Sequence, residues 1–227
     1  MTTTLITGAN KGLGYETARR LLAEGHDVWV GARDETRGRA AAEELGARFV
    51  RIDVTDDASV AAAAETVGEL DVLVNNAGIS GGMVPVPDVT PEVLETVFAT
   101  NVFGLVRVTQ AFVPALERSS NPVIVNVTSG MGSHALTSDP ERVESTIVSL
   151  QYPASKAAVN MLTAQYAKAL PRMRVNCVDP GYTATDFNGH RGHKTVEQGA
   201  EAIVRMALLD PAGPTGAYVD DQGTVPW

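Results

Sequence analysis

A single cysteine in 227 residues, Cys177, excludes an internal disulfide. It lies in a strand-like apolar run, where burial is the expectation. Histidine is almost as scarce. His26, His134, His190 and His193 form no metal-spaced set with the cysteine, and no metal site is expected. Basic residues are outnumbered, 18 Lys and Arg against 27 Asp and Glu, for a formal net charge of −9. That balance argues against nonspecific nucleic-acid binding and against docking on anionic membranes. The opening residues, MTTTLITGAN, carry neither the basic nor the apolar region of a secretory signal. No uninterrupted apolar run reaches the length of a membrane span. A soluble protein of the reducing cytoplasm is expected.

What is present is a hydrophobic share of 44%, enough for a sizeable core. Short apolar runs alternate with helix-length segments. Strands are predicted at Thr3–Thr7, Asp27–Ala32, Arg48–Ile52, Asp71–Asn75, Val123–Thr128, Arg174–Val178 and Ala217–Val219. Helices are predicted near 12–25, 35–45, 56–68, 90–118, 152–169 and 195–209, with caps at Thr55, Thr90 and Thr195. This alternation predicts an α/β fold: one doubly wound, Rossmann-type domain over residues 1–227, with a seven-stranded, mostly parallel sheet and helices on both faces. The least regular stretch is 130–150.

After the first strand comes TGANKGLG, in which Gly8, Gly12 and Gly14 form a G-x-x-x-G-x-G loop that opens the first helix. Glycines there permit a tight turn and let a pyrophosphate approach the free N–H groups of the helix N-terminus. Two residues compete over the cofactor. Asp34 stands at the distance from the loop where an acid would hold the ribose 2′-OH of NAD(H). Arg33 precedes it, and with Lys11 in the loop and Arg37 a turn on, it suits the 2′-phosphate of NADP(H). A solvated helix face would account for Arg33, Arg37 and Arg39 equally well in isolation, but in an otherwise acidic chain the cluster favours NADP(H) over NAD(H). Asp53 ends the third strand, where its carboxylate can accept from an adenine amino group. NNAG, Asn75–Gly78, ends the fourth, and its small residues would let the backbone pass close to a cofactor.

The segment QYPASK, 151–156, raises the chemical question. Pro153 suits a first helical turn, and Tyr152 and Lys156, four apart, share one face. A lysine cation at that distance would favour the phenolate and lower the tyrosine pKa toward neutral. A tyrosine so tuned can exchange protons. Taken alone, Y-x-x-x-K is more often a surface aromatic beside a solvated lysine. Gly78–Gly82, GISGG, matches G-x-S-x-G, but GGMVPVP follows and cannot start a helix, so a hydrolase elbow is rejected. In a parallel sheet ligands bind beyond the carboxyl ends of the strands, which puts Asn75, Ser129 and Pro180 on one rim.

Taken together, TGANKGLG, NNAG, Asn101 in TNVFG, Ser129, Tyr152 with Lys156, and NCVDPG (Asn176–Gly181) resemble the short-chain dehydrogenase/reductase family over nearly the whole chain. The resemblance implies that Tyr152 protonates a carbonyl oxygen, Ser129 orients it, Lys156 lowers the tyrosine pKa and binds the nicotinamide ribose, and Asn101 helps hold a relay water. It also implies cofactor contacts from Asn10, Leu13, Val54, Ala77, Gly78, Pro180 and Gly181, with Thr183 or Thr185 at the carboxamide. TGANKGLG, ARDETRG and the tail are similar to the carbonyl reductase subgroup, which prefers NADPH. The expected activity is reduction of a small ketone, aldehyde or quinone. An NAD-dependent alcohol dehydrogenase of the same family and a dinucleotide-sensing regulator without turnover are the alternatives.

Between Ser129 and Tyr152 lie 22 residues, 130–151, a length intermediate within that family. It fits a homodimer or a monomer, and is expected to shape one wall of the substrate pocket. The segment after Gly181 is short, so an open mouth is expected, with Met83, Met131, Tyr182 and Phe187 as apolar walls.

Overall fold

The computed structural model describes residues 1–227. Seven strands, β1 (Thr3–Thr7), β2 (Asp27–Ala32), β3 (Arg48–Arg51), β4 (Val72–Asn75), β5 (Val123–Val127), β6 (Arg174–Val178) and β7 (Tyr218–Val219), form one sheet in the order β3-β2-β1-β4-β5-β6-β7. Every strand pairing is parallel, so the sheet expected to be mostly parallel is wholly so. The order reverses between β1 and β4, and this is the switch point at which such sheets leave a crevice.

The helices are α1 (Gly12–Ala23), α2 (Glu35–Leu45), α3 (Asp57–Val67), α4 (Pro91–Phe98), α5 (Leu105–Leu116), α6 (His134–Ser138), α7 (Gln151–Ala169) and α8 (Val196–Ala207). Successive strand residues point to opposite faces. Ile6, Val28, Val30, Val74 and Val125 therefore meet Ala18 and Leu21 of α1 and Ile203 of α8. Leu5, Leu73, Ile124 and Val175 meet Val60 of α3 and Val108, Phe112 and Leu116 of α5. Both faces are covered by helices, which is why these strands read as predominantly apolar runs. Each fully buried branched side chain stabilises by roughly 1.5–3 kcal/mol.

Local chemistry sets the helix ends. Asp34 caps α2 by accepting from the Arg37 amide at 2.9 Å, and Gly46, with φ of 68°, ends that helix in the left-handed region. Thr195 and Gln198 form the expected capping box on α8. The cap of α3 is Asp56 rather than Thr55, and Thr90 makes no capping hydrogen bond on α4.

The helix expected over 90–118 is interrupted by a π-helical turn at Ala99–Gly104, which separates α4 from α5. Taken as one stretch, Pro91–Leu116 is long and apolar enough to cross a bilayer by length and composition. Here Val97, Val108, Phe112 and Leu116 are fully buried within the protein. The irregular 130–150 segment holds α6 and two 3₁₀ turns, Gly130–Gly132 and Val143–Thr146.

Candidate active site

The carboxyl ends of β1, β4, β5 and β6 make the rim. At β1 the chain turns through Gly8, with φ of 66°, and Gly12, with φ of 57°. Gly14 is required by a close approach instead: a Cβ there would lie 2.5 Å from Asn76 Nδ2 and 2.8 Å from the Gly8 carbonyl oxygen. Asn76 itself donates to the Thr7 and Gly8 carbonyls at 2.8 and 3.2 Å, tying the β4 end to the loop. Lys11, at the N-cap of α1, contributes no capping side chain, and the first turn of α1 carries no acid. The opening amides of α1 are thus free for an anion. Asn10 and Leu13 flank this turn half-buried.

Beyond β2, Asp34 is fully engaged. One oxygen accepts from the Arg37 amide and the other from Arg37 Nε at 2.9 Å. Arg39 pairs with Glu35. Arg33 is exposed, makes no ion pair, and lies where its charge acts on Asp53. Asp53 Oδ1 accepts from the Thr55 amide and hydroxyl, which holds its carboxyl below the usual range. The Val54 carbonyl accepts from Arg107 at 2.8 Å.

Two expectations about the cofactor side need correction. The Asn75 side chain does not face the rim. It is 5% exposed and donates to Thr109 Oγ1 at 3.0 Å and Asn126 Oδ1 at 2.9 Å, inside the sheet. The rim at β4 is carried by Asn76, Ala77 and Gly78. Lys11 does not join Arg33. Its ammonium pairs with Asp186 Oδ2 at 2.8 Å, and His190 Nε2 meets the other oxygen at 2.8 Å.

The chemical side converges on α7. With Leu150 at its N-cap and no capping side chain, α7 starts at Gln151, so Tyr152 and Lys156 occupy its first turns. Lys156 is buried and donates from Nζ to the Val127 carbonyl at 2.8 Å, while Nζ stands 5.7 Å from the Tyr152 ring centroid. Ser129 follows β5; its Oγ accepts from Met131 N at 3.2 Å and lies near enough to the Tyr152 phenol to favour its ionised form. Its neighbour Thr128 is buried and donates to Asn160 Oδ1 at 2.6 Å, which takes it out of contention for the serine's place. The Ser129 carbonyl accepts from Tyr218 Oη at 2.8 Å, so β7 fixes the serine from behind.

Asn101 sits in the π turn, a distortion that recurs at functional sites. Its amide oxygen accepts from Ile79 N at 2.8 Å, and its Nδ2 donates to the Ile79 carbonyl at 2.9 Å and Ser155 Oγ at 3.0 Å. Ser155 in turn donates to the Tyr152 carbonyl at 2.7 Å. Sequence reasoning missed Ser155, although its place one residue before Lys156 puts it on the same turn.

The expected lowering of Tyr152 by Lys156 is not the dominant effect. Burial pushes the phenol well above its ordinary value, the Ser129 hydroxyl opposes this, and the charge of Asp179 adds to the rise. The tyrosine retains partial solvent exposure, which limits that shift. Burial also pushes Lys156 down to about 8. Cys177 is fully buried on β6, its thiol pushed up to about 12, and it is chemically quiet.

Past Pro180 and Gly181 the short segment reaches further than expected. Thr183 is buried and donates to the Pro180 carbonyl at 3.1 Å, and Thr185 lies over Gly12. Phe187 packs on Tyr152, with ring centroids 5.4 Å apart and planes at 56°. The Lys11–Asp186 pair fastens this flap to the glycine loop. The mouth is therefore partly covered. Of the expected walls, Phe187 touches the tyrosine, Met131 is half-buried beside Ser129, Tyr182 stacks on His193, and Met83 is 77% exposed.

A family model described as short chain dehydrogenase matches residues 2–195. (+)-Neomenthol dehydrogenase of Arabidopsis thaliana is 35% identical, with 94% of each chain covered. Among solved structures, the NADPH-bound carbonyl reductase from chicken fatty liver superposes with a TM-score of 0.88 at 27% identity, over 100% of this chain and 99% of that one. The 3-ketoacyl-(acyl-carrier-protein) reductase from Brucella melitensis complexed with NADH gives 0.84 at 27% identity, over 97% and 96%. With the serine, tyrosine and lysine gathered on the rim of a wholly parallel sheet, and that model matching most of its length, the chain belongs to the short-chain dehydrogenase/reductase family, oxidoreductases that use a nicotinamide dinucleotide.

Proposed function

We propose that the protein is an NADPH-dependent carbonyl reductase in which Tyr152 donates the proton. The observation that carries this reading is the meeting of Tyr152, Ser129 and Lys156 at the carboxyl end of β5. Ser129 and Tyr152 both present O–H groups, and a carbonyl oxygen gains negative charge as it is reduced. Two aligned donors stabilise that charge more in the transition state than in the ground state. A phenol held above its ordinary value stays protonated at neutral pH, as a donor must. The phenolate left after donation would sit beside the Lys156 ammonium. Asn101, through Ser155 and the Ile79 backbone, keeps the first turn of α7 in register with the rim.

The bound dinucleotide supplies the hydride. The free opening amides of α1, with Gly8, Gly12 and Gly14, fit its pyrophosphate. Asn10, Leu13, Val54, Ala77, Gly78, Pro180 and Gly181 line the same crevice by family resemblance, with Thr183 or Thr185 toward the carboxamide. Asp34 spends both oxygens on Arg37, while Arg33 is unpaired, and this supports a 2′-phosphate over a ribose 2′-OH. Asp53 keeps Oδ2 for the adenine. Phe187, Met131 and Tyr182 favour apolar carbonyls such as aromatic ketones, aldehydes and quinones.

The test is oxidation of NADPH against NADH over a panel of those carbonyls, with Tyr152→Phe as control. Turnover with NADPH that vanishes in the variant is expected. Preference for NADH would replace the reading with an NAD-dependent enzyme of the same family. Tight dinucleotide binding with no turnover on any carbonyl would turn it into a sensor.

A further inference from the structure

Two acids from distant parts of the chain meet directly behind this site. Asp179 follows β6 and is 5% exposed. Glu144 comes from the 3₁₀ turn Val143–Thr146, inside the 130–150 segment. Gly130 shows how near they are. A Cβ placed on it would lie 2.7 Å from Glu144 Oε1 and 2.9 Å from Asp179 Oδ2. The two carboxyl oxygens therefore converge on one point, and any side chain at 130 would collide with both. Their remaining contacts are few. Asp179 Oδ1 accepts from Gly181 N at 2.8 Å, and the Gly130 backbone lies beside this carboxyl. Glu144 Oε1 takes a 3.3 Å contact from Arg142 Nη2, while its Oε2 is buried with no hydrogen-bond partner at all. A buried acceptor without a donor is costly and calls for an explanation.

We propose that Asp179 and Glu144 form a carboxyl pair beneath Gly130 whose negative charge keeps the proton on Tyr152 until a carbonyl takes it. This rests on Tyr152 being the donor. Like charges that close disfavour double ionisation, and Asp179 holds its proton to higher pH than an isolated acid would. Burial raises Asp179 above the usual carboxylate range, the backbone of Gly181 and Gly130 opposes this, and Glu144 and Asp220 add to the rise.

The charged and titratable groups facing Asp179 are Tyr152 and Lys156 from α7, Cys177 from β6, Tyr218 from β7, Asp220 after it, and Glu144 with its partner Arg142. An ionised Asp179 opposes the phenolate and favours the lysine cation. The first effect keeps the phenol protonated in the resting site, and the second keeps a cation beside the phenolate that forms once the proton leaves. The 130–150 segment thus does more than wall the pocket: it delivers Glu144 to the electrostatics of the reaction.

The experiment compares wild type, Asp179→Asn and Glu144→Gln in two readouts. The first is the pH dependence of carbonyl reduction. Asp179→Asn is expected to move the alkaline limb of kcat to lower pH, on the order of one unit, because the phenol then ionises more readily. The second is the infrared band of protonated carboxyl groups, followed against pH. Asp179→Asn removes one such band, and Glu144→Gln makes it disappear at lower pH than in wild type. An alkaline limb unmoved by Asp179→Asn in an active enzyme, or a band indifferent to Glu144→Gln, overturns the pair. Should wild type reduce no carbonyl, the function fails while the band still decides whether the pair exists. Should Asp179→Asn not fold, the Glu144→Gln band decides alone.

Discussion

Phe187 lies across Tyr152, its ring centroid 5.4 Å away, although the two residues belong to elements on opposite sides of the mouth. The aromatic that covers Tyr152 is thus part of a flap rather than of the sheet. A tilted aromatic pair contributes about 0.5–1.5 kcal/mol. Phe187→Ala is expected to raise KM for apolar ketones about fivefold and to leave KM for the dinucleotide unchanged, as measured by steady-state kinetics. An equal rise in both would show that the flap serves the cofactor instead.

Arg33 and Asp34, adjacent in sequence, are expected to behave oppositely. Arg33→Ala should raise KM for NADPH about tenfold or more and leave NADH unaffected, since an unpaired guanidinium facing a phosphate is a charge-assisted contact. Asp34→Ala should leave the preference alone and lower stability through loss of the α2 cap. Kinetics with both dinucleotides and denaturant melts separate the two.

Asn101 satisfies both the N–H and the C=O of Ile79 and reaches Ser155. Asn101→Ala leaves the half-buried N–H and C=O of Ile79 without their partner, at a cost of up to roughly 1–3 kcal/mol each. Lower stability together with a fall in kcat is the expected result. A stable variant with a full kcat would mean that the π turn holds itself.

Lys156 titrates lower when folded, at about 8, than its ordinary 10.5, because burial disfavours the cation. Between those values the unfolded chain binds more protons than the folded one, so stability attributable to this group rises with pH across that window. Below about 8 the full cost of the buried cation is present. Thermal unfolding of wild type should therefore gain on Lys156→Met as pH climbs from 8 toward 10.5. Parallel curves would mean that the folded lysine titrates as it does in the unfolded chain.

Much of this molecule was legible in its residues. Strands β1, β2 and β6 begin and end where the sequence places them, because a strand covered on both faces is dominated by apolar residues. The capping box at Thr195 and Gln198 is a local device, and local devices can be read locally. Asn75 could not be. At the end of a strand, period-2 alternation and turn chemistry assign the same residue to opposite sides, and the amide partners that decide it, Thr109 and Asn126, lie 34 and 51 residues away. Lys11 and Asp186 are 175 apart, so nothing near the glycine loop announces that its cation is taken. The ionisation of Tyr152 was misjudged for a related reason. Spacing along a helix gives the neighbour's charge, but the depth of burial that outweighs it belongs to the assembled fold.

The amides of Asn75 and Asn126 also bear on how the chain finds its register. They are direct partners across β4 and β5, and Thr109 and Thr163 add hydrogen bonds to their amide groups from the flanking helices. Valines along the same two strands would accept a neighbouring valine after a slip of one position. The paired amides would not, since each misaligned strand would bury unmatched donors and acceptors. Four polar side chains at the centre of an apolar sheet thereby act as a proofreading key for assembly, rejecting wrong alignments that hydrophobic burial alone would let through.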